Sequence, residues 1–389
     1  MFTLIRGAEV WTPEKIGVRD VLVSNDVVVD IQDSFQLGGL SYREIDARGQ
    51  WLVPGFVDSL THITGGGGEG GFHTRTPEMQ FSDAILGGVT TVNGVLGTDS
   101  ISRSHENLIA KAKGLINEGL NVVCLSGSYQ VPAKSLTESI QKDIMFISEY
   151  IGVGEIAISD HRSCQPSVEE LAKLASEAKV AGLLSGKRGI VSIHVGAEES
   201  KLLPLWNVCQ NYDVAISQFY PTHMNRNMEL FQQGVIHTQK GGVIDFTASS
   251  NQSMIRSDEL RASEAVKKAL DEGVSPTQMT MSTDGHASLP VFNAEGDFVQ
   301  LDVGRMDSLL KEFQHGVTQL GVPPELMLKT ITQTPAQILG LKNVGYIGIG
   351  SRADILLLSP DDLELQWVMC GGDIVFEDQS LIRKGTFEL

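Results

Sequence analysis

Several titratable side chains fall at or near the ends of short apolar segments in the middle of the chain. They are His62, Tyr129, Glu155, His194, His223 and Asp284. Imidazoles and carboxylates that converge on one place suit a metal-dependent hydrolase, in which the metal lowers the pKa of water and a carboxylate moves its proton. Each residue also has a simpler interpretation, because a lone strand histidine is more often a hydrogen-bonded core residue and Asp284 could cap the following helix. The hypothesis therefore depends on the elements that position these side chains.

Eight apolar, β-rich segments could carry them, at residues 51–58, 90–97, 121–129, 154–160, 190–196, 214–223, 243–249 and 279–285. Helical patterns lie between them, including a capping box of Ser167 and Glu170 and a helix over about 258–271. Near-continuous apolar strands that alternate with helices predict a parallel sheet covered on both faces. Eight such units predict an α/β fold of the closed (β/α)8 TIM-barrel type, with its chemistry at the carboxyl ends of the strands.

The two ends of the chain have a different pattern. Residues 1–50 and 345–389 contain short alternating strands separated by turns, and neither end is long enough for a good core of its own. We therefore expect one small β-sandwich domain built from both ends, beside a hydrolase barrel over residues 51–344.

Composition excludes several classes of function. The 389 residues include 30 Lys+Arg and 48 Asp+Glu, a formal net charge of −18, which argues against non-specific binding to nucleic acid or to an anionic membrane. No apolar run approaches the length of a membrane span, and the N-terminus does not have the pattern of a secretory signal. The four cysteines are scattered without a CxxC spacing, so neither a cysteine zinc site nor a disulfide framework is indicated. We expect a cytoplasmic protein.

Short motifs along nearly the whole chain add a resemblance. They are PGFVD at 54–58, GGGGE at 65–69, TRTPE at 74–78, LGTDSISR at 96–103, ISDHRS at 158–163, PTHMNRN at 221–227, STDG at 282–285 and KGTF at 384–387. With them the chain resembles the isoaspartyl dipeptidases of the amidohydrolase superfamily. The resemblance implies two zinc ions at the barrel mouth. Their ligands would be a His-x-His pair after the first strand, the histidines of strands five and six, the aspartate of strand eight and a bridging carbamylated lysine on strand four.

This chain departs from that ligand pattern twice. Leu60 replaces the first histidine of the pair, which leaves His62, and Glu155 stands at the position of the lysine. His62 and Asp284 alone are fewer than the three protein ligands usual for a catalytic zinc, whereas Glu155, His194 and His223 form a complete set. Glutamate is also shorter than carbamylated lysine and less able to bridge two metals. We therefore predict one zinc on Glu155, His194 and His223, with a second, weaker site possible on His62 and Asp284.

The resemblance also implies roles for residues that would bind a β-aspartyl dipeptide. Glu69 would pair with its free α-amino group, and Arg162 and Arg226 would hold carboxylates through bidentate contacts. Thr98 and Ser288 would supply neutral hydrogen bonds. Tyr129 would stabilise the oxyanion, and Asp284 would act as general base and acid. Without the resemblance, the simpler interpretations are favoured: Arg226 as a solvated loop charge and Tyr129 as a packing residue. The glycine run at 65–68 could be only a flexible loop.

The sequence thus predicts zinc-dependent hydrolysis of β-aspartyl dipeptides by a homo-oligomer, an octamer if the family resemblance extends to assembly. Two other classes stay open. One is a different amidohydrolase, such as a D-aminoacylase-like or cyclic-amide hydrolase, which would use the altered metal site. The other is a non-catalytic, metal-poor homologue that binds dipeptides.

Overall fold

The computed structural model describes residues 2–39, 41–248, 259–292 and 298–388. The N-terminal part forms five strands: β1 (Phe2–Trp11), β2 (Lys15–Ser24), β3 (Val27–Gln32), β4 (Tyr42–Asp46) and β5 (Trp51–Pro54). Strands β1, β2 and β3 pair antiparallel in chain order, while β4 and β5 lie parallel to β1.

The middle of the chain contributes eight parallel strands. They are β6 (Phe56–Thr61), β7 (Val89–Gly94), β8 (Asn121–Ser126), β9 (Tyr150–Ile158), β10 (Ile190–Val195), β11 (Phe219–Thr222), β12 (Ile244–Thr247) and β13 (Met279–Ser282). Strands β6 to β11 form one sheet in chain order, and β12 pairs with β13. Every residue of β9 and β10 is buried, because parallel barrel strands are covered on both faces.

Two backbone hydrogen bonds close the ring of eight strands. The amide of Met224, just after β11, donates to the carbonyl of Asp245 in β12 at 3.0 Å. The amide of His62, just after β6, donates to the carbonyl of Gly285, just after β13, at 2.9 Å. The last strand is thereby joined to the first, so the parallel strands form a barrel.

Ten α-helices are described, most of them between barrel strands. They are α1 (Phe81–Leu86), α2 (His105–Glu118), α3 (Ile140–Phe146), α4 (Val168–Ser185), α5 (Leu203–Asn211), α6 (Met228–Gln239), α7 (Ala262–Asp271), α8 (Ser308–Thr318), α9 (Pro324–Ile331) and α10 (Gln333–Leu339). The predicted capping box begins α4, where Ser167 and Glu170 bond reciprocally. None of the described helices combines the length and apolar composition required of a membrane span.

After β13 a hairpin of β14 (Ser288–Phe292) and β15 (Phe298–Val303) precedes α8. The chain then ends in four antiparallel strands: β16 (Ile355–Leu358), β17 (Leu365–Cys370), β18 (Asp373–Glu377) and β19 (Ser380–Leu381). Strand β16 pairs with β5, so both ends of the chain share one nine-stranded sheet. Its core includes Ile5, Val21 and Leu52 from the N-terminal part and Ile355 and Trp367 from the C-terminal part. The predicted fold class, a (β/α)8 barrel with a β-sandwich formed by the two ends, is confirmed.

Several strand boundaries differ from the prediction. The predicted first barrel strand is two strands, β5 in the terminal sheet and β6 in the barrel, so the single apolar run at 51–58 serves two cores. Glu155 lies inside β9 rather than at its start, and Tyr129 lies beyond the end of β8. Ser249 and Asp258, at the ends of two predicted elements, lie outside the described residues. The division of the chain at residues 50 and 344 stays a prediction.

Candidate metal centre and active site

A cavity of about 770 Å³ opens at the carboxyl ends of the barrel strands. Its lining includes ten of the eleven predicted site residues: His62, Glu69, Thr98, Tyr129, Arg162, His194, His223, Arg226, Asp284 and Ser288. The eleventh, Glu155, is buried but hydrogen-bonds to two of the lining histidines. The fold therefore gathers residues that are up to 226 positions apart in sequence (62 to 288) at one barrel mouth.

Three side chains at the base of the cavity form a compact group of potential metal ligands. Glu155 Oε1 lies 3.1 Å from His194 Nδ1 and 3.3 Å from His223 Nε2, and these two nitrogens are 3.0 Å apart. All three residues are buried. Among the described residues, this is the one group of three or more His, Cys, Asp or Glu side chains close enough to hold a metal ion together.

The residues around this group fix its geometry. Gly154 precedes Glu155 with φ 144°, and a Cβ atom there would lie 2.7 Å from the carbonyl oxygen of Ser192 on the neighbouring strand. His223 has φ 66°, a left-handed conformation that is uncommon for a residue other than glycine and recurs at functional sites. Its Nδ1 is 2.6 Å from the hydroxyl of Thr247, which leaves Nε2 directed at Glu155.

The electrostatics of the group suit a metal. Burial raises the pKa of the Glu155 carboxyl, but His194 and His223 oppose this and together hold that pKa well below its usual range. Burial, together with the positive charge of Arg226, lowers the pKa of His223 to about 4. A carboxylate and a neutral imidazole are the protonation states in which these side chains bind a metal. Glu155 Oε2 is buried without a hydrogen-bond partner, so an acceptor remains available at the site.

His62 and Asp284 form a separate pair at the same mouth. His62 Nε2 lies 3.1 Å from Asp284 Oδ1, and His62 Nδ1 is buried without a partner. Asp284 also has a left-handed backbone, with φ 51°. Leu60 is buried in an apolar cluster with Val95 and Leu125, so it brings no ligand to this pair. The two residues have no third ligand among the described side chains near enough to complete a site.

Tyr129 directs its hydroxyl at the metal ligands. Its oxygen is 2.8 Å from His194 Nδ1, the nitrogen that also faces Glu155. Burial raises the pKa of the Tyr129 phenol well above its usual value, and the nearby charge of Glu155 raises it further. The phenol is therefore protonated at neutral pH and can donate a hydrogen bond to an oxyanion that forms beside it.

The wall of the cavity contains the predicted substrate-binding residues. Glu69 Oε1 accepts from Thr98 Oγ1 at 3.0 Å and lies 3.2 Å from Arg162 Nη1. Arg226 lies near Arg162, because Arg226 Nη1 and Arg162 Nη2 are both 3.2 Å from His194 Nε2. Arg226 Nη1 is also 3.3 Å from the carbonyl oxygen of Val195. An anionic and two cationic groups thus face the same space, as a zwitterionic ligand requires.

The bidentate contact predicted for Arg162 needs one refinement. Its Nε and Nη2 atoms already donate to Asp160 at 2.9 and 2.8 Å. This edge of the guanidinium is occupied within the protein, and Nη1 is the atom that turns towards Glu69 and the cavity. Sequence reasoning assigned no role to Asp160, although it stands at the predicted end of the fourth strand, two positions before Arg162 in the ISDHRS motif.

Sequence reasoning also missed Arg103, the last residue of the LGTDSISR motif. Its side chain is buried and donates to three backbone carbonyls, those of Thr64, Gly66 and Thr76, the latter two at 3.0 and 2.9 Å. These bonds hold the glycine-rich loop that leads to Glu69.

Asp58, in the PGFVD motif, supports Asp284 in a way similar to the support that Arg103 gives the glycine-rich loop. Its buried carboxylate accepts from the hydroxyl and the amide of Thr283 and from Thr61 Oγ1. The motif residue therefore links β6 to the segment after β13 that carries Asp284. The only signal in the sequence for either role is membership of a motif.

Comparison with known proteins places this barrel and its site in a class. The model of the amidohydrolase family matches residues 212–375. A dihydroorotase from Elusimicrobium minutum is 26% identical over 94% of this chain and 89% of its own length. The fold and the cluster of imidazoles and carboxylate at the barrel mouth are those of an amidohydrolase.

Two solved structures are similar over 100% of this chain and of their own. One is the β-aspartyl dipeptidase of Fervidobacterium islandicum AW-1 in complex with a β-Asp-Leu dipeptide, 41% identical with a TM-score of 0.92. A second structure of β-aspartyl dipeptidase from that organism is 38% identical with a TM-score of 0.91. The chain belongs to the β-aspartyl (isoaspartyl) dipeptidase family of the amidohydrolase superfamily, as its motifs predict.

Proposed function

We propose that the chain hydrolyses β-aspartyl dipeptides with one zinc ion held by Glu155, His194 and His223. The observation that carries this proposal is that these three buried ligands lie at the base of a cavity whose wall presents Glu69 and Arg162. A β-aspartyl dipeptide brings one ammonium group and two carboxylates to a scissile β-amide. The relative of known structure with β-Asp-Leu, similar over its whole length, supports the same substrate class.

The charges at the mouth fit that substrate better than a neutral one. In the structure Glu69 and Arg162 form an ion pair with each other at 3.2 Å. A zwitterionic ligand that enters between them replaces this one pair with two, an ammonium beside Glu69 and a carboxylate beside Arg162 Nη1. A ligand with a blocked amino group would separate the existing pair without compensating Glu69. Glu69 therefore selects for a free α-amino group, and Arg226 remains for the second carboxylate.

A zinc ion at this site would lower the pKa of water and polarise the amide carbonyl. The chain supplies the proton transfers and the alignment. Asp284 is buried beside His62 and its pKa stays below the usual value: burial raises it, but the hydrogen bond from His62 and the nearby imidazoles outweigh this. As a carboxylate it can take a proton from the attacking water and return it to the leaving amine. Tyr129 Oη donates to the developing oxyanion.

The size of each ligand set supports a single tightly bound metal ion. Glu155, His194 and His223 are three ligands, the usual number for a catalytic zinc, whereas His62 and Asp284 are two. The buried, unpartnered Glu155 Oε2 is the feature that would allow a second, weaker ion beside them. We propose one equivalent of tightly bound zinc per chain.

The test is hydrolysis of β-Asp-Leu by purified protein, with zinc content measured after dialysis. We expect turnover of β-Asp-Leu, none of α-Asp-Leu, and one equivalent of zinc. Glu155→Gln should lose both zinc and turnover. Glu312→Gln is the matched control, because Glu312 is also a buried glutamate but pairs with Arg261 and Ser263 away from the cavity. No turnover of β-Asp-Leu by the zinc-loaded protein would refute the proposal.

A cyclic-amide hydrolase is the second candidate, and the full-length similarity to a dihydroorotase favours it over a D-aminoacylase-like enzyme. Dihydroorotate also contains an amide of an aspartate β-carboxyl group, but its amino nitrogen is part of the ring and carries no charge. Glu69 would then face a neutral group. Turnover of dihydroorotate in preference to β-Asp-Leu would support this candidate.

A further inference from the structure

Asp160 contacts both a candidate metal ligand, His194, and a candidate substrate-binding residue, Arg162. Its Oδ1 accepts from the Arg162 amide at 2.8 Å and from Arg162 Nε at 2.9 Å. Its Oδ2 accepts from Arg162 Nη2 at 2.8 Å and lies 2.9 Å from His194 Nε2. A carboxylate has about four lone-pair directions, so all of them are used.

The contact with His194 determines which ring nitrogen faces the metal ligands. His194 Nε2 lies 2.9 Å from Asp160 Oδ2 and 3.2 Å from both Arg162 Nη2 and Arg226 Nη1. Guanidinium nitrogens only donate, so the Asp160 carboxylate is the acceptor among these three for a proton on Nε2. With that proton in place, the proton-free nitrogen is Nδ1, which faces Glu155 and His223. A metal-binding histidine whose other nitrogen donates to a carboxylate is held in one tautomer and one ring orientation, and the ligand becomes more basic.

The contact with Arg162 determines which part of the guanidinium remains for a substrate. With Nε and Nη2 held by Asp160, the plane of the group is fixed and Nη1 is presented to Glu69. Asp160 is buried, and each of its carboxylate oxygens lies within 2.9 Å of nitrogen atoms of Arg162 or His194. It therefore lies between a metal ligand and a substrate-binding cation and contacts both.

We propose that Asp160 is a positioning residue that couples the metal site to the substrate-binding site. It holds His194 in place for the metal and Arg162 in place for the carboxylate of the dipeptide. The inference deepens the proposed function and rests on it. One residue then sets both metal retention and substrate affinity, because its contacts are with His194 and Arg162.

The test compares Asp160→Asn with the wild type in two measurements. The first is zinc affinity, measured at equilibrium by competition with the chelator 4-(2-pyridylazo)resorcinol, which needs no turnover. The second is KM and kcat for β-Asp-Leu at saturating zinc. An amide cannot accept at both positions, so we expect zinc affinity to fall about 10- to 100-fold. We also expect KM to rise about tenfold, with a smaller change in kcat.

Asp354→Asn is the matched control. Asp354 is as buried as Asp160 and also pairs with an arginine two positions away, Arg352, at 2.9 Å. It lies immediately before β16 and is not part of the cavity lining. It should leave zinc retention and KM unchanged even if the protein is less stable.

A change in only one of the two measurements, or in neither, would overturn the coupling. If Asp160→Asn does not fold, Asp160→Glu serves instead: it keeps the charge but is one methylene longer and cannot keep all four contacts. Asp160→Glu should weaken zinc binding and raise KM, each by less than Asp160→Asn does. Because competition with the chelator does not depend on turnover, a wild type without dipeptidase activity would refute the proposed function while the contact with His194 was still tested.

Discussion

The glycine-rich loop before Glu69 depends on one buried arginine, and Arg103→Met tests that dependence. The Arg103 guanidinium bonds to the carbonyls of Thr64, Gly66 and Thr76, which lie 27 to 39 positions away in sequence. The methionine side chain fills similar space without a donor. The carbonyls of Thr64 and Thr76 then lose this partner, at about 1–3 kcal/mol each, although the loop can relax towards water. The Gly66 carbonyl keeps the amide and the hydroxyl of Thr76 as donors. We expect the free energy of unfolding to fall by about 3–5 kcal/mol.

The loop should also bind substrate less well, because Glu69 would no longer be held in place. Unfolding in urea measures the stability, and KM against kcat for β-Asp-Leu measures the positioning. We expect KM to rise about tenfold with kcat nearly constant, since the metal ligands are on other elements. Arg48→Met, which removes an exposed arginine paired with Asp46, is the control and should change neither. A destabilised Arg103→Met variant with unchanged KM would limit Arg103 to a structural role and refute the reasoning.

Three further predictions concern the barrel mouth and its interior. Asp284→Asn should abolish turnover while β-Asp-Leu still binds, as measured by calorimetry, and retained activity in a rigorously purified variant would contradict the proton-transfer role. Elemental analysis after exhaustive dialysis should find one zinc per chain, and two retained equivalents would contradict the single-site proposal. Burial raises the pKa of Asp245 to about 7, so its contribution to stability is present at low pH and is lost as pH rises through that value. Asp245→Asn should therefore flatten the decrease in unfolding free energy between about pH 4 and 7; an unchanged slope in urea titrations would disprove this.

Much of the fold is predictable from local pattern. Apolar runs at eight places, helices between them and the Ser167–Glu170 capping box all depend on residues close in sequence. The boundaries were less predictable because they depend on tertiary contacts. The apolar run at 51–58 divides between two sheets. Tyr129 lies beyond the end of β8, where its hydroxyl contacts His194.

The candidate site also has a part that is predictable from sequence and a part that depends on tertiary contacts. Residue types and motifs were sufficient to nominate Glu155, His194 and His223, and the structure places their ligand atoms within 3.3 Å of one another. Motifs alone did not indicate what Asp160 or Arg103 contacts, because their partners are carbonyls and a ring nitrogen contributed by other segments.

The sequence by itself determined the class of the barrel, the family and the set of side chains able to do its chemistry, since these follow from periodicity, composition and motif. Only the tertiary structure decided how those side chains are held. In the folded chain the His62 amide donates to the Gly285 carbonyl, which joins the first barrel strand to the last. Arg162 Nη2 bonds to Asp160, and Arg162 Nη1 bonds to Glu69. The physical reason is that a hydrogen bond depends on direction and distance between particular atoms, and the packing of distant segments sets both.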